Sequence, residues 1–140
     1  SYLFIGESGA GKSTLYYTAE KENRISDDAS AIIKNDVYSV ITCPFNHEES
    51  SGYIHSEMLY PIKGVFLLKK SHVNDVRKIN CMEALPQVFP GQIHFLNLFN
   101  SNTRTSVSQS IIHFFSNIPL YELSFKKNDK AVFSILQELK

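Results

Sequence analysis

The stretch GESGAGKST, Gly6 to Thr14, follows directly on the apolar run Tyr2–Ile5 and constrains this chain more than any other segment. It fits the pattern G-x-x-x-x-G-K-S/T, with strand character before it and helix character after it, the context in which that pattern carries weight. Glycines at 6, 9 and 11 let successive backbone N–H groups turn inward and keep side chains out of the space they surround. The helix that starts at Lys12 points its unpaired N–H groups and partial positive charge at the same place. Glu7, Ser8 and Ala10 complete the loop, and Thr14 follows it into the helix. Lys12 is spaced to reach β- and γ-phosphates, and the Ser13 hydroxyl can take a position on Mg²⁺. The segment therefore reads as a cradle for the phosphates of a nucleoside triphosphate.

Phosphoryl transfer also needs a carboxylate near the γ-phosphate, to hold metal or take a proton from the nucleophile. The pair Asp27–Asp28, in SDD, is the strongest candidate. If residues 24–26 form a strand beside the loop strand, the pair emerges at its C-terminal edge, where open α/β sheets place their ligands. Adjacent carboxylates raise each other's proton affinity, which suits one of them to act as a base. Asp36, Glu83 and Glu48–Glu49 are weaker candidates, placed in a turn, a solvent-facing helix pattern and a polar loop. His47, His55, His72, His94 and His113 show no metal-ligand spacing, and His113 reads as a core or boundary residue.

Apolar and polar periods predict strands at Tyr2–Ile5, Ala29–Ile33, Tyr38–Thr42, Lys63–Lys70, around NDVRKIN, and at Pro119–Phe125. Helices are predicted from Lys12 to Asn23, over CMEALPQVFP with an interruption at Pro86, from Asn102 to Ile118, and at the C-terminal end. Asn102 or Thr103 would cap the third of these, and Asn128 or Asp129 the last. Asn46–Pro61 is polar and aperiodic and reads as a loop, a candidate flap over substrate. The lysine pairs Lys69–Lys70 and Lys126–Lys127 read as solvated strand ends. The order of elements gives an α/β layer protein with a mixed sheet.

With 140 residues, 43% of them apolar, the chain suits one domain over 1–140. Fourteen basic and fourteen acidic residues cancel, so no bulk field recruits nucleic acid or an anionic membrane. Apolar stretches are too short to span a bilayer, and no signal-peptide pattern leads the chain. Cys43 and Cys81 lack disulfide or metal spacing and read as reduced thiols of a cytoplasmic protein. The start at Ser1, without methionine and directly before the loop strand, predicts that further residues precede it. No LSGGQ-like signature, NKxD-type stretch or DxxG switch occurs, which argues against a transporter ATPase or a regulatory GTPase.

The loop GESGAGKST, the later SDD, then CPF, IKGVFLLKK, EAL and PLYELSFKKND together resemble the catalytic domain of HPr kinase/phosphorylase and its shorter kinase relatives. Their phosphate-loop core is related to that of phosphoenolpyruvate carboxykinase. The resemblance implies an ATP- and Mg²⁺-dependent kinase acting on a serine hydroxyl, with Asp28 as base and Asp27 supporting the metal or orienting its neighbour. Lys12 and Ser13 keep the roles given above. No segment of EIRGLG type occurs, and VITCPFNHEES stands in its neighbourhood, so the resemblance points to kinase rather than phosphorylase activity. The acceptor would be a serine on a protein, a peptide or a small molecule. The bifunctional members assemble into hexamers, which leaves a homo-oligomer open. A small-metabolite phosphate-loop kinase and a non-catalytic nucleotide-binding module are the competing readings.

Overall fold

The computed structural model describes residues 1–26, 30–42, 59–92, 100–126 and 131–138. Along the chain run β1 (Tyr2–Ile5), α1 (Lys12–Thr18), β2 (Ser30–Lys34), β3 (Tyr38–Thr42), β4 (Tyr60–Pro61) and β5 (Gly64–Lys70). Then follow β6 (Asp75–Ile79), α2 (Cys81–Gln92), α3 (Ser101–Asn117), β7 (Leu120–Phe125) and α4 (Ala131–Glu138). Among the described residues the strands form two sheets, a larger one in the order β1-β5-β7-β6 and a smaller one in the order β2-β3-β4. β1, β5 and β7 are parallel and β6 is antiparallel to β7, so the larger sheet is mixed. The protein has a mixed α/β fold.

Side chains alternate across each strand, and here both sets are covered. Phe66, Leu123 and Phe125 share one face with Tyr2, Phe4, Leu68 and Tyr121, packed against Leu15 of α1 and Val132 and Leu136 of α4. Val65, Leu67, Ile79 and Leu120 share the other with Leu3 and Ile5, against Ala84 and Val88 of α2 and Phe114 and Phe115 of α3. Helices on both faces explain why β5 reads as a continuous apolar run rather than an alternating one. Phe66 is fully buried, stacked against Phe4 at 5.4 Å and Tyr121 at 4.9 Å between ring centroids. Truncating such a residue to alanine costs about 3–5 kcal/mol.

The structure changes several sequence-based expectations. β1, whose apolar run suits a strand buried on both faces, is only half-buried, because among the described residues it pairs only with β5, at the sheet's edge. α1 stops at Thr18 and a single 3₁₀ turn, Lys21–Asn23, follows it. Arg24 closes this end: its guanidinium donates to the carbonyls of Ala19 and Tyr17 and lies over the rings of Tyr16 and Tyr17. A cation suits the negative end of a helix.

α2 runs through Pro86 instead of breaking there. Proline removes one backbone donor and crowds the carbonyl four residues back, here that of Met82, on an exposed turn. Ala84 and Val88 on the opposite side are buried. A reciprocal cap starts the helix: the Glu83 N–H donates to the Asn80 side chain, and the Asn80 N–H donates to the Glu83 carboxylate. α3 begins one residue before Asn102, and its cap is Asn100, whose side chain accepts from the Thr103 N–H. Within the segment expected to be a loop, Tyr60–Pro61 forms β4 against β3. Asp27, Asp28, Cys43, residues 46–58 of that loop, His94 and the expected caps Asn128 and Asp129 lie outside the described residues.

Candidate functional site: the Gly6–Thr14 loop

The loop leaves β1 at Ile5 and turns through a hydrogen bond from the Ala10 N–H to the Glu7 carbonyl. It enters α1 at Gly11, whose φ of 108° is left-handed. Gly9 has a φ of 77°. Both angles are costly for residues with a Cβ. Gly6 is required for a different reason, close approach: a Cβ there would stand 2.8 Å from the Cβ of Ala10 and 3.1 Å from that of Leu68.

Each of these glycines faces the end of a parallel strand. Gly6 lies against Leu68 of β5, Gly9 lies near the Lys70 ammonium at the tip of β5, and Gly11 lies against the Phe125 ring at the end of β7. The register Ile5↔Leu67 and Lys70↔Phe125 brings these ends together. The loop thus sits beyond the carboxyl ends of the parallel strands, where α/β sheets bind ligands.

Lys12 folds back over the loop. Its ammonium donates to the carbonyl of Gly6 at 2.7 Å and to that of Glu7 at 3.0 Å. No side chain caps α1, and no acidic residue lies in its first turn, so the N–H groups of that turn have no side-chain cap and no carboxylate of the turn itself. Ser13 is exposed in the first turn, Thr14 is half-buried, and Glu7, Ser8 and Gly9 are exposed at the loop's rim. An open cleft runs from Gly6, Ser8 and Lys12 past Arg24 and Ser26 to His113 of α3. Gly9 keeps the exposed tip of the loop nearly open, and Lys12 and Ser13 supply a cation and a hydroxyl beside it, a donor set of the kind that fits a Mg²⁺-bound polyphosphate.

The proposed carboxylates Asp27 and Asp28 lie outside the described residues. The strand expected at residues 24–26 does not form; that segment is irregular after the 3₁₀ turn. Ser26, directly before Asp27, lines the same cleft as Gly6 and Lys12. Glu83 is engaged by its cap and by an ion pair with Arg77 at 2.7 Å. His113 is exposed, hydrogen-bonded to the Tyr38 hydroxyl at the junction of α3 and β3. Among the described residues no group of three or more His, Cys, Asp or Glu could hold a metal ion. No described helix is long and apolar enough to cross a membrane.

Two residues at the loop were missed by sequence reasoning. Phe125 was read only as a strand end, and Lys70 as a solvated charge. The signal for Lys70 lies in the period of two: Phe66, Leu68 and Lys70 share one face of β5, the face that α1 covers.

No family model, curated protein or solved structure matches this chain.

Proposed function

We propose that the chain binds ATP and Mg²⁺ at Gly6–Thr14 and transfers the γ-phosphate to a serine hydroxyl on a protein, peptide or small molecule. The fold would then be a phosphate-loop kinase core of the HPr kinase and phosphoenolpyruvate carboxykinase kind. The observation that carries the reading is the position of Lys12, its ammonium resting on two carbonyls of a glycine loop that opens toward an uncapped helix.

On nucleotide binding, Lys12 exchanges those carbonyls for phosphate oxygens, and the loop N–H groups orient the chain of phosphates. Ser13 and Asp27 would hold Mg²⁺, which would supply neutralisation of phosphate charge. Asp28 takes the proton of the serine hydroxyl as its oxygen bonds to the γ-phosphorus. The bond from that phosphorus to the bridging oxygen breaks, and ADP leaves. The cleft beside Lys12 offers the acceptor a place to approach. This reading puts the protein in the cytoplasm, where ATP is available, without nucleic acid or membrane as a partner, and it leaves a homo-oligomer open.

A second reading is a nucleotide-binding module without chemistry. It is favoured by the end of β5, where lysines stand rather than a carboxylate. Asp28→Asn separates the two. A kinase variant keeps MgATP binding and loses transfer of radiolabel from ATP to a serine-containing acceptor. If wild type and variant bind ATP equally and neither transfers label to protein, peptide or small-molecule acceptors, the module reading stands.

A further inference from the structure

β5 is the strand next to the loop strand, and its side chains follow the loop from below. On the face covered by α1, Phe66 is buried in the core and Leu68 supports Gly6. The next residue on that face is Lys70. Its ammonium lies 3.8 Å from the position a Cβ on Gly9 would take, at the exposed tip of the loop. Lys69, one residue earlier, belongs to the opposite face. Lys70 forms no ion pair with any described residue.

Phosphate-loop hydrolases hold Mg²⁺ with a strand-borne aspartate near the phosphates. This chain places an ammonium, of opposite charge, at the end of the strand beside its loop. A triphosphate carries more charge than Lys12 and a short helix terminus neutralise, so a second cation at the rim has a partner as soon as the nucleotide is bound. The four-carbon stem of an exposed lysine lets the ammonium move to it without backbone change.

We infer that Lys70 is a second phosphate-binding cation of this loop and that it reads the terminal phosphate, distinguishing a nucleoside triphosphate from a diphosphate. The inference rests on the reading of Gly6–Thr14 as a nucleotide site. Lys12 and the loop N–H groups engage the inner phosphates and the β–γ junction. Lys70 stands at the carboxyl end of β5 beside the tip of the loop, the end of the strands at which α/β sheets bind ligands. Its charge there would also stabilise the negative charge that spreads over the transferring group.

The test is calorimetric titration of the full chain with MgATP and with MgADP, for wild type, Lys70→Gln, Lys70→Arg and Lys69→Gln. Lys70→Gln is expected to weaken MgATP about tenfold and MgADP less than about twofold, the loss of one charge-assisted contact to the terminal group. Lys70→Arg should retain most of the preference for ATP, and Lys69→Gln should alter neither affinity. Circular dichroism and thermal midpoints matching wild type confirm that the variants fold. If wild type binds nucleotide but Lys70→Gln keeps its ATP-to-ADP ratio, including by weakening both alike, this inference is overturned while the nucleotide site stands. If wild type binds neither nucleotide, the site reading falls and the inference with it.

Discussion

The ring of Phe125, at the end of β7, occupies the space into which any residue other than glycine at position 11 would project its Cβ. Gly11 is also left-handed, at φ 108°. Two independent constraints thus fix one residue at the point where the loop becomes a helix. Gly11→Ala should lower stability by about 2–4 kcal/mol, combining the left-handed penalty with overpacking against the ring. Chemical denaturation measures it. Phe125→Leu in the same chain should relieve the packing part only, so the double variant should lose less than the sum of the singles. Additive losses would show that the ring and the loop do not press on each other.

Lys12 has partners within the loop, the carbonyls of Gly6 and Glu7. Removing its ammonium therefore acts on the ligand-free loop as well as on any bound phosphate. Lys12→Ala should weaken MgATP by at least about tenfold, since a charge-assisted contact is lost. It should also abolish phosphoryl transfer while leaving the cooperative unfolding of the domain intact. Unchanged affinity in a calorimetric titration would overturn the assignment of Lys12 to the phosphates.

Much of the larger sheet could be read from the chain because local signals and packing agree there. The runs at Tyr2–Ile5 and Gly64–Lys70 have the length and β-branched or aromatic content of buried strands, and turn residues bound them. The glycine loop was legible because its backbone demands leave a mark in residue type. Relations across the fold were not. That Leu68, Lys70 and Phe125 would face Gly6, Gly9 and Gly11 follows from strand order and register, which one sequence does not encode locally. Pro86 misled because its effect depends on whether the carbonyl it frees is buried. The cap of α3 was misplaced by two or three residues because NSNTRTS offers several capping side chains in a row.

That last ambiguity has a direct test. Asn100 accepts from the Thr103 N–H at 2.9 Å, whereas Asn102 and Thr103 lie inside the first turn. Asn100→Ala should cost about 1 kcal/mol by denaturant unfolding, the usual loss on removing a helix N-cap side chain. Asn102→Ala, at an exposed helical position, should change stability by less than about 0.5 kcal/mol. Equal losses would move the cap.

The acid sensitivity of the fold should have an identifiable source in Glu83. A hydrogen bond from the Arg77 guanidinium, and secondarily one from the Asn80 N–H, hold its carboxyl below the usual glutamate value of 4.5. A carboxylate held low in the folded state contributes stability that is fully present above the unfolded-state value and is lost as pH falls through the folded one. Glutamine can still form the reciprocal cap with Asn80, so Glu83→Gln removes the charge and leaves the helix start in place. Wild type should be more stable than Glu83→Gln at neutral pH, and the difference should shrink progressively as pH drops below about 4.5. Arg77→Gln should reduce that pH dependence, because the first cause of the shift is then gone. Denaturation midpoints measured from pH 7 to pH 3 decide the matter, and a difference that stays constant across that range would show that Glu83 acts through its shape alone.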